Sequence, residues 1–368
     1  MSINIGITGL PQSGKTTVFN ALSGGKADTI SHAGGGLAPH VGVARVPEPR
    51  LLTLNELLKP QKLVPAEARY IDVTASLKTL AQDKGIGGEL LNHLGAVDTL
   101  INVVRAFRDE SIPHPEGSLD PDRDIGALNL ELVFSDLAIL ERRLERLENS
   151  LKGAKSQERQ NLLQEKDTVL GLKTELEKDL PIRELAPGPA AARIIANYQL
   201  LTAKPLLIVI NIGEEQLAAT AAIEADFNSR YAGGKCRAVA MCGKLEMELA
   251  QMEEDEAGEF RAEYGLKESG LERTVKASYE LSDLISFFTI ASNEVRAWSI
   301  KRGTTAVKAA GKIHTDMEKG FIRAESIAFD DLVDCGGIAA ARQQGRLRLE
   351  GKDYIIQDGD VITFLFNV

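Results

Sequence analysis

The segment Gly9-Leu10-Pro11-Gln12-Ser13-Gly14-Lys15-Thr16 constrains this chain more than any other. It fits G-x-x-x-x-G-K-[ST] at every position. Ahead of it runs Ile3-Asn4-Ile5-Gly6-Ile7-Thr8, short and isoleucine-rich, the pattern of a buried first strand. Behind it, Gly14 to Leu22 has helical character, with Val18, Phe19 and Leu22 on one face. A strand, a glycine turn and a helix in that order turn the loop's N–H groups inward around a polyanion. Gly9 and Gly14 allow a backbone approach that a side chain would block. The amides from Gln12 and Ser13 through Thr17 line this cradle, and the helix directs its positive end at it. Lys15 can reach β- and γ-phosphate oxygens, and Thr16 can give a hydroxyl to Mg²⁺.

More strands follow at Tyr70–Val73, Leu100–Val104 and Leu206–Ile210, with another at Ala238–Met241. Strands alternating with helical stretches indicate an α/β sheet. Asp72, at the end of its strand, can hold Mg²⁺ through water in the manner of a Walker B aspartate. Asn211-Ile212-Gly213-Glu214 follows the apolar strand Leu206–Ile210, and strand ends on that side line the ligand crevice. GTPases place N-K-x-D there, with the Asp accepting two hydrogen bonds from guanine. Here Ile212 stands for the Lys and the longer Glu214 for the Asp, so an altered base choice is expected. Met241, Cys242 and Gly243, after the last strand, are expected to close over the base.

About a hundred residues separate the strands ending at Val104 and starting at Leu206. Leu137, Leu140, Leu144, Leu147 and Leu151 recur at spacings of 3, 4, 3 and 4, a coiled-coil seam. Gly153 interrupts it, and Leu162, Val169, Leu172 and Leu176 resume it before Pro181. The pattern predicts an inserted antiparallel helical hairpin of two helices of about six turns each. Arg142, Arg143, Arg146, Lys152 and Lys155 give it a basic side, suited to solvent or to RNA.

Toward the C-terminus, Leu284–Ala291 and Glu294–Ile300 read as strands. Tyr354-Ile355-Ile356 and Val361–Phe364, separated by Asp358-Gly359, read as a hairpin in a compact α+β module. A formal charge of −10 argues against a general nucleic-acid coat, though not against a local basic patch. The three cysteines, Cys236, Cys242 and Cys335, form no C-x-x-C pair and suit a reducing compartment. No apolar run approaches the ~20 residues of a membrane span, and the N-terminus lacks the pattern of a signal peptide. A cytoplasmic protein without a membrane partner is expected.

These residues together resemble the YchF / Obg-like ATPase family of P-loop proteins. The resemblance runs over nearly the whole chain. It includes Gly9–Leu22 (GLPQSGKTTVFNAL), Val103–Phe107 (VVRAF), Gly117–Asp124 (GSLDPDRD), Glu141–Leu147 (ERRLERL) and Asn211–Glu214 (NIGE). It continues in Ala309–Glu325 (AAGKIHTDMEKGFIRAE) and Leu349–Val368 (LEGKDYIIQDGDVITFLFNV), which resemble the family's TGS domain, a β-grasp module. The resemblance implies a Ras-like P-loop NTPase domain at 1–128 and 199–281, a coiled-coil arm at 129–198 and a TGS domain at 282–368. It implies ATP as ligand, with GTP weaker, and slow hydrolysis. It also implies contact with the ribosome, or with ribosome-associated RNA or protein, through the arm and the TGS module. A monomer is expected.

The switches depart from the family. Its D-x-x-G reads Asp72-Val73-Thr74-Ala75 here, and Gly36 takes the place of the switch I Thr that binds Mg²⁺. Thr29 and Ser31 lie nearby but out of register, and Ser76–Lys84 replaces a glycine-rich stretch. Gln12 and Ser13 stand where Asn and Val are usual. His32 and His40 fall in the switch I region, yet no residue is identifiable as a general base. Such changes reduce hydrolysis more than binding, which rests on Lys15, Thr16 and backbone amides. A nucleotide-gated adaptor that does not hydrolyse is therefore the alternative. A small-molecule kinase would need a lid and an acceptor pocket that the pattern does not supply.

Overall fold

A computed structural model describes residues 3–24, 28–29, 40–72, 93–266, 268–291 and 293–367. Most of switch I and all of switch II beyond Asp72, including Gly36, Ser31, His32 and Val73–Lys84, lie outside the described residues. The chain divides into two compact units. One comprises Asn4–Gly42 and Tyr70–Ala277, the other Met1–Ile3, Val43–Arg69 and Ser278–Val368.

The first unit holds β1 (Ile3–Thr8) followed by helix α1 (Lys15–Leu22), whose buried Val18, Phe19 and Leu22 form the expected face. A seven-stranded sheet has the order β2-β3-β5-β1-β6-β7-β8. Its members are β2 (Asp28–Thr29), β3 (His40–Arg45), β5 (Glu67–Asp72), β6 (Thr99–Arg105), β7 (Leu206–Asn211) and β8 (Cys236–Met241). β1, β6, β7 and β8 run parallel to their neighbours, as Thr8↔Asn102 and Arg105↔Asn211 show. β6 and β7 are buried along their whole length, as strands covered on both faces must be. The loops leaving β1, β6, β7 and β8 therefore open at one end of the sheet.

The hairpin forms, but its first helix is longer than the seam suggested. Helix α2 (Pro121–Leu151) starts with Pro121 at its first turn and Asp120 as N-cap, its carboxylate accepting from Arg123 N at 3.1 Å. Helix α3 (Ser156–Leu176) returns beside it. Lys166 pairs with Glu148 and Lys173 with Glu141, so one helix climbs as the other descends. Leu140, Leu147, Val169, Leu172 and Leu176 form a core of their own. The helix runs unbroken from its cap: its first turns, with Ile125, Leu128 and Leu132, pack into the core beneath the sheet, and from Val133 onward it faces the arm's own core. At its root the buried Asp136 carboxylate accepts from Leu201 N, Thr202 N and Thr202 Oγ1 at 2.6–2.9 Å.

The second unit is built on a six-stranded sheet of order β12-β11-β13-β9-β10-β4. Its strands are β4 (Lys62–Val64), β9 (Leu284–Ala291), β10 (Glu294–Lys301), β11 (Phe321–Ala328), β12 (Arg348–Glu350) and β13 (Asp360–Phe366). Two sequence expectations are corrected here. Residues 43–69 group with this unit, since β4 pairs with β10 through Lys62↔Glu294 and Arg296↔Val64, although their two ends also complete β3 and β5 of the seven-stranded sheet. Asp358-Gly359 does not close a hairpin. Ile355 makes only an isolated bridge to Thr305, and β13 pairs with β11 and β9. The turn is taken up elsewhere: Asp358 accepts from Ser286 N at 2.9 Å and from Arg50 at 3.0 Å, and Gly359 N donates to Ser286 O. Arg50 also binds Glu48 at 2.7 Å and lies over the Phe288 ring. These carboxylates hold its guanidinium charged and tie residues 43–69 into the unit.

Candidate functional site

The loop after β1 needs its glycines. Gly9 has φ +147, and a Cβ there would lie 2.4 Å from Val103 O. Gly14 has φ +90, and its Cβ would lie 2.2 Å from Asn211 Nδ2. Gln12 also sits at positive φ, 62°. Gly14 is the N-cap of α1 and supplies no side-chain cap, which leaves the first-turn N–H groups to a ligand. Lys15 Nζ donates to Gly9 O at 2.8 Å and Leu10 O at 2.9 Å, folded back on its own loop. Thr16 is exposed and Thr17 half-buried.

Asp72 ends β5, next to β1 in the sheet, and is 0% exposed. Among the described residues neither carboxylate oxygen has a hydrogen-bond partner, and the same holds for Ser13 Oγ, Thr8 Oγ1 and Asn102 Nδ2. Burial pushes the Asp72 pKa up, against the attraction of Lys15 and His40. Burial likewise lowers that of Lys15, against the pull of Asp72. Buried polar groups without partners are costly and rare, and a ligand-binding edge is where they are expected. A hard cation held by one carboxylate, the Thr16 hydroxyl and phosphate oxygens fits this donor set. Among the described residues there is no cluster of three or more His, Cys, Asp or Glu that would hold a metal by itself.

On the other side stand the residues expected around a base. Asn211 is 4% exposed and fully used: Nδ2 donates to Ser13 O at 3.0 Å, and Oδ1 accepts from Gly243 N at 3.0 Å. It clamps the glycine loop to the start of helix α4 (Gly243–Leu249). Glu214 is exposed and accepts from Lys244 Nζ at 2.8 Å. Ile212 and Met241 are each 1% exposed and Cys242 4%, all within the core. Met241 Sδ accepts from Thr274 Oγ1, and burial pushes the Cys242 thiol up. These three side chains continue the core at the ends of buried strands, which leaves their backbone to face a base.

The pattern reading did not single out Arg105 and Phe107, though both fall in the VVRAF segment. Arg105, 4% exposed at the end of β6, donates to the carbonyls of Phe107, Asp109 and Ile112 at 2.9–3.3 Å and lies 4.5 Å from the Phe107 ring centre. Phe107 is half-buried, and its Cε1 is 3.8 Å from where a Gly14 Cβ would be. Farther along, His114 Nε2 meets Asp124 Oδ2 at 3.0 Å and Arg123 Nε donates to Asp124 Oδ1 at 3.1 Å, which fixes this loop to α2. Lys244 was missed as well, because its partner is 30 residues away.

A glycine loop between a first strand and a helix, in a doubly wound sheet with a buried Asp ending the adjacent strand, defines a Ras-like P-loop NTPase domain. Comparison with known proteins narrows the class. Residues 284–367 match the model of the YchF GTPase C-terminal family, described as a protein of unknown function. The chain is 39% identical over 370 residues to the "Ribosome-binding ATPase YchF" of Bacillus subtilis and 36% over 375 residues to that of Escherichia coli O157:H7, covering 100% of both chains in each case. The solved structure of the Schizosaccharomyces pombe YchF GTPase superposes with a TM-score of 0.83 at 30% identity, over 99% of this chain and 98% of that one. The chain belongs to the YchF family.

Proposed function

We propose that this chain is an ATP-preferring, slowly hydrolysing P-loop switch that associates with the ribosome. The observation that carries this reading is the buried Asp72 carboxylate, unpartnered at both oxygens among the described residues, on the strand next to the glycine loop and Lys15. A charge left so exposed to the interior is stabilised by a Mg²⁺–nucleotide and by little else. Phosphates sit on the amides of residues 12–17, Lys15 leaves its loop carbonyls for their oxygens, and Thr16 and Asp72 serve the metal. When bound, Mg²⁺ neutralises charge on the β- and γ-phosphates.

Asn211 acts by holding the loop rather than by reading the base. The half-exposed Phe107 ring, backed by Arg105, offers a face on which the base can stack. Glu214 and Lys244 stand at the rim, and Ile212, Met241, Cys242 and Gly243 contribute backbone. The relatives' names bring the ribosome as partner. We assign its contact to the arm Pro121–Leu176 and to the C-terminal module, read as a TGS domain. Among the described residues no helix is long and apolar enough to cross a membrane.

Single-turnover measurements with ATP and GTP in Mg²⁺, with and without ribosomes, test the proposal by following binding and phosphate release together. ATP-selective binding with release supports it. Binding without release in either condition leaves an adaptor in its place, and no binding overturns it.

A further inference from the structure

Lys244 and Glu214 form a pair whose position matters more than its strength. Glu214 follows β7 two residues after the Asn211–Ile212 step, and Lys244 follows Gly243, whose N–H is held by Asn211. Lys244 Nζ donates to Glu214 Oε1 at 2.8 Å. Their side chains keep 67% and 49% exposure, and a surface ion pair of that kind adds little to folding stability. Its effect falls on the carboxylate as an acceptor.

A free carboxylate presents two oxygens and accepts two parallel donors, as it does with a guanidinium fork. The N1–H and N2–H of guanine are such a pair. Adenine offers one amino group next to an N1 acceptor. With Oε1 taken by an ammonium, Glu214 keeps one oxygen free for a base.

We propose that Lys244 is a specificity-determining positioning residue: by occupying Oε1 of Glu214 it leaves a single acceptor, which meets the one donor of adenine and strands one of guanine's two. This deepens the nucleotide-binding reading and rests on it. Where the bound base shields that edge from water, a stranded donor is penalised more than a missing contact, which is how polar sites reject a near-isosteric ligand.

The test uses the full chain and calorimetric titration of ATP and of GTP with Mg²⁺, for the wild type, Lys244→Met, Glu214→Gln and the double variant. Wild type prefers ATP. Lys244→Met gains GTP affinity roughly tenfold while ATP changes by no more than about twofold, so the ATP:GTP ratio contracts about tenfold. With Glu214→Gln already present, Lys244→Met leaves the ratio unchanged, since the two residues act as one unit. An unchanged ratio in Lys244→Met, an equal contraction in both backgrounds, or a wild-type preference for GTP overturns the inference while the nucleotide site stands. Failure of the wild type to bind either nucleotide overturns both.

Discussion

At the glycine-loop side of the crevice, the Asp72 carboxylate, Ser13 Oγ, Thr8 Oγ1 and Asn102 Nδ2 are buried without partners among the described residues. At the Asn211 side, nearly every polar group is already matched: Asn211 to Ser13 and Gly243, Glu214 to Lys244. One side carries unrelieved desolvation that a ligand can relieve. The other is complete without a ligand and can only select or reject. Affinity should therefore reside with the loop and Asp72, and choice of base should be a smaller effect set at the rim. Tolerance differs from residue to residue: Ile212 and Met241 are locked into the core, whereas Thr16 and Lys244 stand in the open.

The largest effect tests how firmly the Asn211 side is locked. Ile212→Lys restores the lysine of N-K-x-D by sequence. At 1% exposure the new ammonium has no solvent to reach. The substitution should lower folding stability by about 3 kcal/mol, seen as a reduced urea midpoint, and should not confer GTP binding. A stable variant that gains GTP affinity would show that the residue can turn outward, and the contrast between the sides would fail.

Next in size is Gly14→Ala. Its Cβ meets Asn211 Nδ2 at 2.2 Å at a positive φ, so the loop must open or the Asn211 clamp must break. Affinity for ATP should fall at least about a hundredfold in calorimetry, with a smaller change in thermal midpoint. Retention of affinity within about threefold would mean that the cradle is not closed by this glycine.

Asp72→Asn sharpens the comparison because it should move stability and binding in opposite directions. Removing an unpaired buried charge stabilises the ligand-free chain by about 1 kcal/mol, while Mg²⁺-dependent nucleotide affinity falls. The pH dependence gives the sign. Burial raises the Asp72 pKa above the usual carboxyl value. Between those two values the folded chain holds a proton that the unfolded chain has lost, so stability falls as pH rises through the window. Over the same window Asp72 ionises and Mg²⁺ affinity rises. Asp72→Asn should flatten both slopes in denaturation and Mg²⁺ titrations. A destabilised variant with unchanged slopes would show that the carboxylate is satisfied after all.

What the sequence disclosed follows the same division. The strand Ile3–Thr8, the glycine turn and helix that follow it, and the strand Leu206–Ile210 were legible because each is a local pattern with one physical meaning. The leucine seam disclosed the arm, although the helix that carries it begins earlier, at the Asp120 cap, before the first seam leucine. Three features were hidden because they depend on distant partners. Asp358-Gly359 has the composition of a hairpin, but Ser286 and Arg50 claim it. Residues 43–69 enter the second unit through a three-residue strand too short to show a period. Ile212 occupies the place of a lysine in the motif, yet its apolar side chain follows the core, not the motif.

The smallest effect bears on Phe107, beside the glycine loop. The Phe107 ring stands close to Gly14 and carries Arg105 on one face. If it stacks on the base, Phe107→Leu should weaken ATP and GTP alike by roughly three- to tenfold, because every base has a π-face and stacking does not discriminate. The ATP:GTP ratio should stay fixed, in contrast to Lys244→Met, which changes the ratio and leaves ATP nearly untouched. Measured together, the two variants separate grip from choice. A ratio that moves with Phe107→Leu would place base selection beside the loop and not at the rim, and would remove the distinction between the two sides of the site.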